Sequence, residues 1–178
     1  MVLSLQPPAD AVVPAPHPDS PPPGTELPHH FIDCYGCGDG NGGGLHLRAT
    51  VAEGVAISAR FVVQPEHQGA PGLAHGGLMA TAMDEALGFV NFLLRLPAVT
   101  ARLEVDYRNP VPVGTELAVS AECVGVAGRK IYLRGRALLP DGRVAVAADA
   151  LFLVVGLDHF SRHGDGEALA ATVRSYNP

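Results

Sequence analysis

The chain has 178 residues, with 12 Lys and Arg against 18 Asp and Glu and a formal net charge of −6. That length suits one domain with a real core. The absence of any basic run argues against a nucleic-acid surface, and three cysteines, an odd number, make no disulfide framework.

Residues 1–27 hold eight of the sixteen prolines and almost no periodic apolar pattern. They read as a disordered or extended tail outside the fold, without the charged and apolar regions of a secretory signal. Residues 28–44 are rich in glycine and read as irregular. The stretch 45–51 alternates apolar and polar residues, the mark of a half-buried strand. A second strand, 55–63, follows the Glu53-Gly54 turn.

From 76 to 96 the apolar residues fall all round the helical wheel, which marks a buried helix about 30 Å long. It carries Asp84, Glu85 and Arg95, so no membrane span is expected, and a cytoplasmic protein is the simplest reading. Pro97 ends the helix. Strand 99–108 sets Ala101, Leu103, Val105 and Tyr107 on one face and Thr100, Arg102, Glu104, Asp106 and Arg108 on the other. Strands 116–126, 130–139 and 143–155 follow, joined by turns at 125–128 and Pro140-Asp141-Gly142. A short helix is expected at 167–174. The division is a tail (1–27), a domain (28–160) and a C-terminal tail (161–178). The order of elements gives an α+β fold, an antiparallel β-sheet wrapped around one long central helix.

The chemistry concentrates at His75-Gly76-Gly77 and in the helix that follows. Gly76 and Gly77 let backbone approach a ligand, and the first N–H groups of a helix have no partner within it. Such a terminus stabilises a negative oxygen. Asp84 lies deep in an apolar helix, where a carboxylate is costly unless paired, hydrated or used. Glu85, about 100° further round, reads as a solvated or ion-paired acid. His75 reads as a residue that orients the helix start, and nothing beside it suggests a Ser-His-Asp triad. Cys34 and Cys37 have the spacing of half a zinc site. The other ligands would have to come from His29, His30, His46 or a distant residue, and with no second CxxC no metal site is expected. Arg129 and Lys130 follow a glycine turn, as a charged hairpin tip or a phosphate clamp.

Three segments resemble the hot-dog-fold acyl-CoA thioesterases of the phenylacetate-pathway (PaaI-like) branch. The first is His75-Gly76-Gly77 with Ala80, Asp84, Ala86 and Gly88. The second is Cys34-Tyr35-Gly36-Cys37-Gly38 with Asn41 and residues 44–48. The third is 107–114 with Gly128-Arg129-Lys130. The resemblance implies Asp84 as general base or nucleophile and the Gly76 N–H as oxyanion donor, with Thr100 placing the water. It implies that Gly77, Asn109, Pro110, Arg129 and Lys130 lie against the acyl-CoA substrate. Some members carry Asn or Gln at the position of Gly69; here Gln68, one residue earlier, is the candidate. Neither metal nor redox cofactor is implied, and the partner is a second copy of the chain, as a dimer or a dimer of dimers. An enoyl-CoA hydratase and a non-catalytic acyl-CoA sensor are the rival activities.

Overall fold

The computed structural model describes residues 3–165. The strands are β1 (Arg48–Val51), β2 (Ala56–Val62), β3 (Gln68–Ala70), β4 (Leu73–Ala74), β5 (Ala98–Tyr107), β6 (Glu116–Ala127), β7 (Lys130–Leu138) and β8 (Val144–Val154). The helices are α1 (Gly76–Leu94) and α2 (Leu157–His163). Six strands form one sheet in the order β1-β2-β6-β7-β8-β5, and each of its pairings is antiparallel. Helix α1 lies across one face of this sheet, touching β2 and β5 to β8. The expected sheet wrapped on a long central helix is therefore the observed fold.

Burial explains why α1 sits there. Leu78, Met83, Leu87, Phe89, Val90 and Leu93 of α1 are buried, and so are Leu117, Val119, Ile131 and Leu133 of the strands beneath. Gly135 of β7 is what allows the close approach. A Cβ there would lie 2.9 Å from Met83 Cε and 3.0 Å from the Ser120 carbonyl oxygen. By length and composition α1 could cross a membrane, but 61% of its most apolar window is buried inside the domain, as befits a core helix. Arg95, in the left-handed conformation at φ 51°, ends α1 by turning its N–H onto Asn91 and Phe92. Pro97 lies two residues beyond.

The structure differs from the sequence reading at several places. The first strand starts only at Arg48, because His46 has φ 49° and breaks the extended run. Strands β3 and β4 form a small separate hairpin, whose residues are mostly exposed and carry no apolar alternation. Helix α2 likewise lacks buried residues. The expected helix at 167–174 lies outside the described residues. The Pro-rich segment, read as a tail outside the fold, instead lies along the domain. Thr25 and Leu27 bond to the backbone of β1, His17 N–H donates to Leu93 O at 2.8 Å, and Val12 bridges Val126 of β6. Leu27 is buried in the core.

Candidate functional site

Asp84 lies half-buried at mid-helix on α1. Thr100 Oγ1 donates a 2.8 Å hydrogen bond to its Oδ1. The simple alternation of β5 places Thr100 on the face opposite Leu103 and Val105. The register of β5 against β8 shifts between Thr100 and Arg102. Such a bulge reverses which face the preceding residues present, and Ala98 and Thr100 turn towards α1. Ala98, Leu103 and Val105 all pack against the core, so one strand contributes from both sides of the bulge. Burial raises the pKa of Asp84, an effect partly opposed by the hydrogen bond from Thr100. A carboxylate shifted up from its ordinary range is a stronger proton acceptor in its ionised form.

The start of α1 forms the second part of the site. His75 is the N-cap, and its Nδ1 accepts the Gly77 N–H at 2.9 Å, which is the orienting arrangement. The Gly76 N–H has no acceptor among the described residues and points from a helix terminus, where the dipole favours negative charge. Gly69 is fixed by this corner, since a Cβ there would lie 2.8 Å from His75 Cα. Beside Gly76 is an open cleft of about 370 Å³, lined among others by Met79, Tyr107, Asn109, Pro110 and Val111. The Tyr107 hydroxyl donates to Gly76 O at 3.0 Å. The amide of Asn109 is held by its surroundings, donating to Val144 O at 2.7 Å and accepting from Arg143 at 3.1 Å.

These two parts do not meet within one chain. Strand β5 runs beside α1, with Tyr107 bonded to Gly76 at one end and Thr100 bonded to Asp84 at the other. Eight residues of helix separate Gly76 from Asp84, about 12 Å along the axis. Arg129 and Lys130 belong to the Asp84 end, because Lys130 pairs with Leu153, the residue opposite Val99. The turn is allowed by Gly128 at φ 56°, and Arg129 Nε donates to Val154 O at 2.9 Å. Gln68 faces neither part. Its Nε2 donates to Pro65 O and its Oε1 accepts from Gly72 N, both at 2.7 Å, so its amide closes its own loop.

Glu85 is the residue whose surroundings the sequence did not show. Its Oε1 lies 2.5 Å from His30 Nδ1 and its Oε2 accepts from Cys34 Sγ at 3.5 Å. Cys37 Sγ is 3.6 Å from the same His30 nitrogen. Burial disfavours a charged His30, but hydrogen bonds to Cys34 and Glu85 outweigh it and lift its pKa to about 9. Burial would raise Glu85 too, and the His30 bond and charge overcome that and hold it below its usual range. The bond from Cys37 draws the Cys34 thiol down to about 5, while Cys37 itself is pushed up. Nothing in the local spacing links Glu85 to His30, 55 residues away.

Known proteins agree with this architecture. A family model described as Thioesterase superfamily matches residues 71–146. Acyl-coenzyme A thioesterase THEM4 of Xenopus laevis is 37% identical over 72 residues, 40% of this chain and 32% of that protein. The chain thus spans about a third of the length of this curated relative. The thioesterase superfamily protein RHA08564 superposes with TM-score 0.65 at 27% identity, covering 68% of this chain and 60% of that one. The E. coli PaaI protein of the phenylacetic acid degradation operon superposes at 0.60 with 14% identity, covering 63% and 81%. A hypothetical thioesterase of Streptococcus pneumoniae with coenzyme A gives 0.55 at 24%, covering 57% and 79%. Further structures of that protein are of an Asp-to-Ala and a Thr-to-Ala variant, at positions sixteen residues apart. The fold is the hot-dog fold of these proteins, and the resemblance read from the His75 motif is borne out.

Proposed function

We propose that this hot-dog thioesterase domain hydrolyses acyl-CoA thioesters, with Asp84 as general base or nucleophile and the Gly76 N–H as oxyanion donor. The observation that carries the reading is the 2.8 Å bond between Thr100 and the half-buried Asp84. The two are sixteen residues apart, the separation of the Asp and Thr replaced in the Streptococcus pneumoniae thioesterase. An acid in an apolar helix is costly, and among the described residues the hydrogen bond to Asp84 comes from a hydroxyl that can orient water. The thioester carbonyl oxygen rests on the Gly76 N–H. Asp84 then removes a proton from water as it adds to the carbonyl carbon, or attacks that carbon itself to give a mixed anhydride that water opens. The thiolate of CoA leaves and takes up a proton. Polarising donors at the developing oxyanion are the largest single contribution in such reactions.

The same reading makes the chain act as a dimer. Strand β5 is the outermost strand of the sheet beyond β8, so one of its edges presents unpaired backbone groups. Antiparallel pairing of two such edges about the middle of β5 brings the Thr100 end of one strand beside the Tyr107 end of the other. Asp84 of one subunit then faces the Gly76 cleft of its partner, in two equivalent sites. The cleft beside Asn109 and Pro110 takes the pantetheine arm or acyl group, and Arg129 with Lys130 attracts the coenzyme phosphates.

Thiol release from a panel of acyl-CoA esters tests the activity. Asp84→Asn is expected to stay folded and lose about 10²–10⁴-fold in kcat, the usual contribution of a general base. Glu85→Gln should lose far less kcat. Water addition to an enoyl-CoA without thiol release would make the protein a hydratase instead. Tight acyl-CoA binding with no turnover would make it a sensor.

A further inference from the structure

We propose that His30, Cys34, Cys37 and Glu85 form a structural zinc site that ties the glycine-rich segment before β1 to helix α1. Each brings one donor atom, and the four atoms lie within 4.8 Å of one another. Tetrahedral Zn²⁺ with Zn–S about 2.3 Å and Zn–N or Zn–O about 2.0–2.1 Å sets sulfur about 3.5 Å from nitrogen or oxygen ligands. The observed separations are 3.6 Å for Cys37 Sγ to His30 Nδ1 and 3.5 Å for Cys34 Sγ to Glu85 Oε2. The proton shared at 2.5 Å between His30 Nδ1 and Glu85 Oε1 gives way to the ion, and this contact opens by a side-chain adjustment when Nδ1 and one carboxylate oxygen become ligands.

The surroundings are built around these four atoms. The backbone between Cys34 and Gly38 turns back on itself, with Gly38 N–H donating to Cys34 O at 2.8 Å. A Cβ at Gly36 would lie 2.3 Å from Glu85 Oε2, and one at Gly38 would lie 2.2 Å from Ile32 O. At Gly38 the obstruction is backbone, so only glycine fits there, and at Gly36 the missing Cβ leaves the space that the Glu85 carboxylate occupies. The His30 ring stacks at 4.2 Å on Phe89 and lies 4.8 Å from Phe92, which aims Nδ1 at the cluster. The His30 N–H donates to Cys37 Sγ at 3.1 Å, the kind of outer bond that steadies a ligating thiolate. Cys37 is fully buried, and the Glu85 side chain is 13% exposed.

The donor set selects the ion. Two sulfurs, one imidazole and one carboxylate suit Zn²⁺; Mg²⁺ and Ca²⁺ take oxygen ligands, and iron–sulfur clusters take four Cys or two Cys with two His. A Cys34–Cys37 disulfide would use the sulfurs and leave the convergence of His30 and Glu85 without purpose. Binding displaces the protons shared among the two sulfurs and His30 Nδ1, which pass to solvent, and gives a site of net charge about −1. Because Glu85 adjoins Asp84 on α1, the ion also fixes the rotation of the helix that presents Asp84 to Thr100.

The test uses the full chain purified reduced and without chelator, with Zn²⁺ as the probe. One zinc per chain is expected by elemental analysis. The Cys34→Ser/Cys37→Ser variant should hold none, and Cys123→Ser should hold as much as the native chain. Glu85→Ala should weaken zinc by at least the roughly 10–100-fold that loss of an outer-shell partner costs. Co²⁺ in place of zinc should show sulfur-to-metal charge transfer and the strong visible bands of a tetrahedral site. These bands are read on the native fold, so they stand even if the cysteine variant does not fold. A folded, reduced native chain that takes up no more zinc than the cysteine variant overturns the proposal. So does a cobalt spectrum without sulfur charge transfer.

Discussion

Complementation between two inactive variants probes the separation of the catalytic groups most directly. Gly76 and Asp84 are about 12 Å apart along one rigid helix. A thioester needs its oxygen about 3 Å from the donor and its carbon about 3–3.5 Å from the attacking group. The variants are Asp84→Asn and Gly76→Pro. Proline removes the N–H and suits the first position of a helix. His75 already has φ −71° and ψ 133°, the extended form favoured before proline, and an added Cβ would meet the Tyr107 ring at an ordinary 3.6 Å. Mixed and refolded together, the two chains form hybrids in which one site carries both defects and the other neither. Random pairing makes about half of the dimers hybrid, each with one intact site, so thiol release should return to about a quarter of the native rate. Native mass spectrometry counts the hybrids. If hybrids form and activity does not return, the donor and the acid act within one chain and the two-fold arrangement is wrong.

Thr100→Ala removes the bond that favours ionised Asp84. The Asp84 pKa, already raised by burial, should rise further, and the acid limb of the kcat profile should move to higher pH; an unmoved limb argues against Asp84 as the base. Gly135→Ala should destabilise the domain by about 1–3 kcal/mol through overpacking against Met83 and the Ser120 carbonyl. That is a fall in Tm of about 2–4 °C per kcal/mol, and calorimetry showing no fall would mean the helix can lift away freely. Replacing Arg129 and Lys130 together should raise KM for CoA esters more than it lowers kcat, with a smaller penalty at high salt. An unchanged KM would place the phosphates elsewhere.

The elements most legible in the sequence are those where pattern and burial coincide. Strand β6 alternates buried and exposed residues, β7 and β8 contain buried apolar runs, and glycines with positive φ at Gly128 and Gly142 mark their turns, so their bounds fall within a residue or two of those read from pattern. Helix α1 was legible because its apolar residues surround it. The β3–β4 hairpin was not, since it buries almost nothing. For the site, the His75-Gly76-Gly77 corner and Asp84 were visible as residue types in order. The facing of Thr100 was not, because a bulge reverses the alternation and no residue type announces it. The partners of Glu85 were hidden for a different reason: His30 reaches it only through the stacking on Phe89 and Phe92 that the fold creates.

The docked N-terminal segment has a thermodynamic consequence of its own. It touches β1 through Thr25 and Leu27, the end of α1 through His17, β6 through Val12 and β5 through a bond from Arg102 to Leu3 O. Such a strap would ordinarily be expensive to immobilise, since each ordered residue gives up about 1–2 kcal/mol of backbone entropy. Prolines have already surrendered much of that freedom in the unfolded chain, and eight of the first 27 residues are proline. The strap can therefore stay seated on few hydrogen bonds and little apolar burial. The same economy makes it the piece that lifts first. Its amide protons should exchange with solvent long before those of β6 to β8, and brief proteolysis should trim it while leaving the sheet and α1 intact.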